Sequence, residues 1–257
     1  MNEEIAAFMG VGQEYLLGGF FVMLRVGPIV GFMPGYGEAV VSVRVKLAIG
    51  LCLTLAVLPL MEPGNLPKER YDLLIALFRE TFLGLFMGLG MRFFVIALQT
   101  AGSMAAQATS LAQLFAGAAA EPMPAIGHLL VVAGLALAMI MGLPVRLIEF
   151  LDMTYRVFPL GGDYDLSRLA EWASGLVGRS FALAFSMAAP FLVMSLLYNL
   201  VLGVINRAMP QLMVAFVGAP VITAGGLIFL LIFGPIMLSL WWSAFDTFLS
   251  RPGGFAR

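Results

Sequence analysis

The chain alternates long apolar runs with short polar interruptions, and the lengths of those runs decide the reading. A hydrocarbon core about 30 Å thick needs roughly 20 apolar residues in a helix. Six stretches meet or approach that length, at about 13–33, 43–61, 78–100, 126–148, 178–206 and 212–245. Each predicts a hydrophobic helix. Residues 180–206 and 208–245 contain no Asp, Glu, Lys or Arg at all. The last run is too long for one straight span, and Pro220 with Gly225-Gly226 predicts a bent or two-part element there.

Two connecting regions are polar. Residues 62–70 carry turn formers and both charge signs. The charged segment 149–179 contains Leu166, Leu169, Ala170, Ala173, Leu176 and Val177 at helical spacing, which predicts a short amphipathic helix near 164–178, capped by Asp163 or Asp165. Its apolar face would lie on the membrane surface or pack on a partner. Helix breakers are frequent inside the apolar segments: Gly27, Pro28, Gly31, Pro34 and Gly35 around the end of the first, then Pro144, Pro190, Pro210, Pro220 and Pro235. Backbone groups freed by proline are tolerated in lipid only where they are buried in protein or face water. The expected fold is therefore all-α, a multi-span membrane protein of about six kinked, heavily packed hydrophobic helices, in one domain over 1–257.

Composition sharpens this. The chain is 61% hydrophobic and 11% charged, with a mean hydropathy of +0.99, against about 25% charged in ordinary soluble domains. A net charge of −1 gives no field for a nucleic-acid backbone. One cysteine, Cys52, and one histidine, His128, cannot supply a zinc site, and no internal disulfide can form. Cys52, inside an apolar run, reads as a small packing residue. His128 reads as a structural or interfacial residue, since general acid–base work needs titratable groups gathered in a shielded pocket. No phosphate-cradling loop and no metalloprotease motif is present, so no enzyme, metal or cofactor is expected. The acidic start, Met1-Asn2-Glu3-Glu4, is unlike a secretory signal peptide. With six spans, Arg44, Lys46 and Arg207 face one side and most other cations the opposite side, which places both termini in the cytoplasm.

Arg25 and Arg92 are the charges set deepest in candidate spans. A central arginine costs about 2.5–3.5 kcal/mol on insertion scales, so each needs a partner, a polar cavity or a route to the interface. Arg92 is too far from Glu80 to pair within one helix, and no intramembrane Asp or Glu is expected to accompany either arginine, which argues against a proton relay and an ion-coupled transporter. Gly84-Leu85-Phe86-Met87-Gly88 is a small-xxx-small face that allows close helix approach, and Gly27-xxx-Gly31 and Gly31-xxx-Gly35 repeat the pattern. Residues 101–117 are small and uncharged polar, too polar for lipid and too apolar for a solvated loop. They suit a helix connector or a constriction that closes a pore by dewetting, with Leu111, Leu114 and Phe115 as the bulky groups.

These residues resemble the FliR family of export-gate proteins, shared by flagellar and virulence type III secretion systems. The likeness rests on Arg25-Val26-Gly27 with Pro34 and Val43-Arg44, on Arg79-Glu80-Thr81-Phe82-Leu83-Gly84, on the glutamine-bearing segment 99–117 with Pro122 and Pro124, and on Arg207-Ala208-Met209-Pro210-Gln211-Leu212-Met213-Val214 running into Gly218-Ala219-Pro220. Met213 departs from the family, where asparagine is usual. The resemblance implies helices in bent hairpins within a core export gate of the bacterial inner membrane, at the flagellar basal body. FliP-like and FliQ-like subunits would be direct partners, with FlhA-like and FlhB-like membrane proteins alongside and unfolded flagellar subunits as cargo. It also implies a pore plug at about 107–121, with Gln107, Leu111, Leu114, Phe115 and Gly117 in it, and packing or motif roles for Arg25, Gly27, Arg79, Glu80, Gly84, Gly88, Arg207, Pro210, Gln211, Gly218 and Pro220. Two other readings remain: the same subunit in a virulence injectisome, and a small-molecule transporter with Gly/Pro-broken helices.

Overall fold

The computed structural model describes residues 2–60, 69–109, 125–162, 166–209 and 214–251. Seven α-helices account for almost all of them: α1 (Asn2–Phe32), α2 (Val43–Val57), α3 (Arg70–Thr109), α4 (Ala125–Ile140), α5 (Leu143–Val157), α6 (Leu166–Ala208) and α7 (Val214–Ser250). No strand occurs among the described residues.

Each of the six apolar stretches is helical, but their boundaries differ from the hydropathy reading in ways that have local causes. The second stretch yields a helix of only 15 residues, about 22 Å long and shorter than a hydrocarbon core. Pro59 cannot donate the next helical hydrogen bond, and the chain tightens there into a single 3-10 turn over Leu58–Leu60. The fourth stretch is broken. Gly142 takes a left-handed conformation with φ +80, Pro144 sits at the N-terminal edge of α5, and α4 and α5 bend by 74° at the break. The predicted amphipathic helix near 164–178 is not a separate element: it forms the opening turns of the 43-residue α6. Its inner face is Leu169, Trp172 and Leu176, all buried, whereas Val177 is exposed. The expected polar connection over 149–179 is correspondingly short, because α5 already occupies it as far as Val157. The last stretch is one continuous helix, α7, so of the expected bent or two-part element the two-part form is not what is found. Among the described residues, four helices are long and apolar enough to cross a membrane, or up to five spans if the bent α4–α5 pair is one.

The described helices form two compact units, residues 1–93, 139–176 and 245–257 in the first and 94–138 with 177–244 in the second. The first unit buries Phe21, Val22, Ile29, Met87, Phe150 and Phe245. Phe248 stacks between Phe150 and Trp172, with ring centroids 5.8 and 5.9 Å away. Arg146 reaches Asp246 at 3.5 Å. In the second unit, Leu98, Ala101, Leu130, Ala138, Met187, Phe191 and Trp241 are buried. The backbones of α3 and α4 touch where Gly102 meets Gly127, leaving no room for a side chain at Gly102. Trp241 Nε1 donates to the carbonyl of Phe94 at 2.9 Å, so the deepest indole in the unit keeps its polar atom satisfied.

Candidate functional site

Glycine sets the geometry of the first unit. A Cβ added at Gly84 would fall on the backbone of Arg25, and one at Gly88 would lie 2.8 Å from the carbonyl oxygen of Pro28 and 3.2 Å from Ile29 Cα. The small-xxx-small face of α3 therefore lies directly against the backbone of α1, as such faces allow. That approach brings the side chain of Arg25 onto Glu80, one helical turn before Gly84.

Arg25 is completely buried, and its guanidinium is fully engaged. Nε donates to Glu80 Oε2 at 2.6 Å and one terminal nitrogen to Oε1 at 2.9 Å, a forked pair. The other terminal nitrogen donates to the carbonyl of Phe158 at 2.9 Å. The ring of Tyr155 covers the guanidinium face, with its centroid 3.8 Å from Cζ. Glu80 also accepts from the amide of Gly161 at 3.4 Å, and the neighbouring Arg79 reaches the carbonyl of Gly162 at 3.5 Å. Three charged residues from α1 and α3 thus grip the turn between α5 and α6. Gly161 permits that turn with φ +71. The acid that accompanies Arg25 was invisible in the chain because it lies 55 residues away, and the expectation that Arg25 has no buried carboxylate partner is corrected here.

A second, shallower pair pins the loop between α1 and α2. Arg92 of α3 meets Glu38 at 2.7 Å, with both side chains partly exposed, and Lys46 donates to the carbonyl of Gly37 at 2.9 Å. Arg92 is therefore bound in place by Glu38.

Of the residues singled out from the sequence, Arg25, Arg79, Glu80, Gly84 and Gly88 converge on the α1–α3 contact. Gly27 does not, since a Cβ there would meet no heavy atom within 4 Å, and the same holds for Gly31. Gln107 is exposed near the end of α3, and Arg207 is exposed at the end of α6. Gly218 and Pro220 lie in the first turns of α7. Leu111, Leu114, Phe115, Gly117, Pro210 and Gln211 lie outside the described residues. His128 is exposed, and Cys52 is exposed on α2 rather than packed. Among the described residues, no three His, Cys, Asp or Glu side chains gather as a metal site would require. Sequence reasoning missed Tyr155, Gly161 and the Phe158 carbonyl; a backbone acceptor has no side-chain signature, and only the Gly161-Gly162 pair hinted at a special turn.

Chemically, the cluster holds rather than reacts. Both carboxylate oxygens and all three guanidinium nitrogens are engaged, so the pair fixes where helices meet. The fold and this clamp define an all-α, multi-span membrane protein built by close helix packing around a buried ion pair.

Residues 16–248 match the family described as Bacterial export proteins, family 1. Similar proteins include the flagellar biosynthetic protein FliR of Caulobacter vibrioides, 32% identical over 86% of this chain and 89% of that protein. The protein of the same name from Escherichia coli is 28% identical over 81% and 80%, and that from Bacillus subtilis 26% over 82% and 83%. The chain belongs to this FliR family of bacterial export proteins, and is a membrane-embedded component of the flagellar export apparatus.

Proposed function

We propose that this chain is a non-catalytic scaffold and pore element of the core flagellar export gate in the bacterial inner membrane, a single domain packed against FliP-like and FliQ-like subunits with FlhA-like and FlhB-like proteins beside it. The carrying observation is a mismatch between apolar length and lipid thickness. The charge-free part of α7, residues 214–245, is about 48 Å long, against a hydrocarbon core of about 30 Å. Lipid alone could cover it only at a tilt of roughly 50°, outside the range of about 0–40° seen for membrane helices. The apolar windows of α6 and α7 are nevertheless only 11% and 22% buried within the chain. Neighbouring protein must cover the remainder, which suits a subunit of a helical conduit and does not suit a self-sufficient small-molecule transporter. Flagellar rather than virulence service is favoured by the names of the relatives.

Within this reading, the segment 107–121 plugs the pore, with Leu111, Leu114 and Phe115 as the seal and Gln107 and Gly117 in the same segment. The flanking chain supports the role: Gly102 is locked on Gly127, and a Cβ at Gly226 would fall 2.5 Å from Thr109 Cγ2, so the described chain on either side is packed within one unit. Arg25, Gly27, Arg79, Glu80, Gly84, Gly88, Arg207, Pro210, Gln211, Gly218 and Pro220 serve subunit packing or carry the family's motifs. The test is deletion of 108–117 in cells carrying the complete apparatus. Leakage of small solutes through the assembled gate is expected to rise, and unchanged leakage would remove the plug role. Mass measurement of a copurified complex tests the partners.

A further inference from the structure

The partners that bury Arg25 are all made long after Arg25 itself. Glu80 follows 55 residues later and the Phe158 carbonyl 133 residues later, with Tyr155 and Gly161 in the same late stretch. A growing chain adds about 5–20 residues per second, so Phe158 trails Arg25 by roughly 7–27 s. During that interval α1 has nowhere to put its charge. Arg25 lies near the middle of the apolar window Tyr15–Phe32. Gly84 faces Arg25 and Gly88 faces Pro28, so α1 and α3 run in the same direction where they touch. Glu80 therefore lies on the N-terminal side of Arg25, the side toward which helical side chains lean. In that direction the window extends about 15 Å further, beyond the reach of an arginine side chain. Arg25 of an unpaired α1 can meet headgroups only if the helix sits away from its final depth, because a bare arginine in mid-membrane is strongly disfavoured.

Glu80 alone does not complete the site. It takes Nε and one terminal nitrogen, while the other terminal nitrogen donates to the Phe158 carbonyl. Tyr155 then covers the guanidinium face, and the Gly161 amide donates to Glu80. Until α5 and the turn after it arrive, a charged pair stands open on the side they later close. Arg25 and Glu80 are both fully buried in the finished chain, and every segment that buries them belongs to the first unit. Gly84 makes depth and pairing a single event, since it meets the Arg25 backbone only with α1 at its final level. A buried ion pair adds little net stability over apolar packing but can impose one arrangement on the chain.

We propose that the Arg25 cluster is an assembly lock: α1 stays displaced toward the membrane surface until the α5–α6 turn has been made, and closure over Arg25 then seats it. The lock needs only that α1 enters a membrane, and it stands apart from the gate reading above. The test follows the full-length chain, carrying Cys52→Ser and Val26→Cys, during synchronised synthesis into inner-membrane vesicles. Val26 is buried beside Arg25, and N-ethylmaleimide modifies a thiol only where it is hydrated and ionised. Labelling at position 26 is expected to persist until residue 161 has been added and then to fall at least about fivefold. With Arg25→Met, position 26 is protected to that extent as soon as α1 leaves the ribosome, because the helix has no charge to place. That early reading does not depend on how the variant finally folds. Arg25→Met with Glu80→Leu gives the same early protection and keeps it in the finished chain. Protection of position 26 in the chain with Arg25 before α5 is made overturns the lock. So does an equal delay with Arg25→Met, since the charge is then not its cause, and so does a finished chain with Arg25 that is still labelled at position 26.

Discussion

At the scale of single residues, two arginine pairs that look alike on paper differ in what their loss should cost. Arg25 and Glu80 are both out of solvent, so removing one leaves a buried, uncompensated charge. Arg25→Ala is expected to destabilise the chain by about 3–5 kcal/mol, read as a lowered unfolding midpoint in detergent, whereas replacing both partners by apolar residues of similar volume should be close to neutral. Arg92 and Glu38 keep 28% and 22% of their side chains exposed. Solvent screens that pair, and Glu38→Gln should cost no more than about 1 kcal/mol in the same assay. Burial rather than distance separates the two cases, since their shortest contacts are 2.6 and 2.7 Å. The sequence flagged Arg25 because a charge in an apolar run is expensive. It could not name Glu80 as the partner, because pairing depends on how α3 packs against α1, and it had no way to point to the Phe158 carbonyl.

At the scale of elements, glycine makes the sharpest contrast. Gly84→Ala would drive a methyl group into the backbone of Arg25, where only a shift of α1 can relieve it and the clamp on the α5–α6 turn moves with it. A loss of about 1–3 kcal/mol is expected. Gly27→Ala meets open space, and alanine is the better helix former by about 1 kcal/mol, so that variant should be neutral or more stable. Finding both equally destabilised by thermal unfolding would mean that α3 does not sit on α1 through Gly84. The two motifs share the same glycine spacing, and what separates them is which face of α1 turns toward α3. The α4–α5 break escaped the hydropathy reading for a related reason: Met141 and Gly142 are apolar or neutral, so an average over the segment passes across the bend. Pro144 signals a breaker in this segment, and the left-handed backbone at Gly142 is where the helix ends. Gly142→Ala should cost about 1–2 kcal/mol, measurable in the same way.

At the scale of the whole molecule, hydropathy found the helices well because a helix satisfies all its backbone hydrogen bonds within one apolar run when water is absent. It could not say what lies around them. Leu196, Leu200, Leu227, Leu231 and Ile236 are exposed on helices whose charge-free lengths exceed a bilayer, so the isolated chain has more apolar surface than lipid can cover. Reconstituted alone into vesicles, it is expected to self-associate heterogeneously and to move no small solute, while coexpression with the other gate chains should convert it to a single species of defined mass. Sedimentation and light scattering distinguish these outcomes. A 37-residue helix can be buried by lipid only near a tilt that membrane helices do not adopt, so a lone chain that stayed monodisperse in lipid would show that α7 bends within the bilayer enough to hide its full length, and the need for neighbouring subunits would disappear with it.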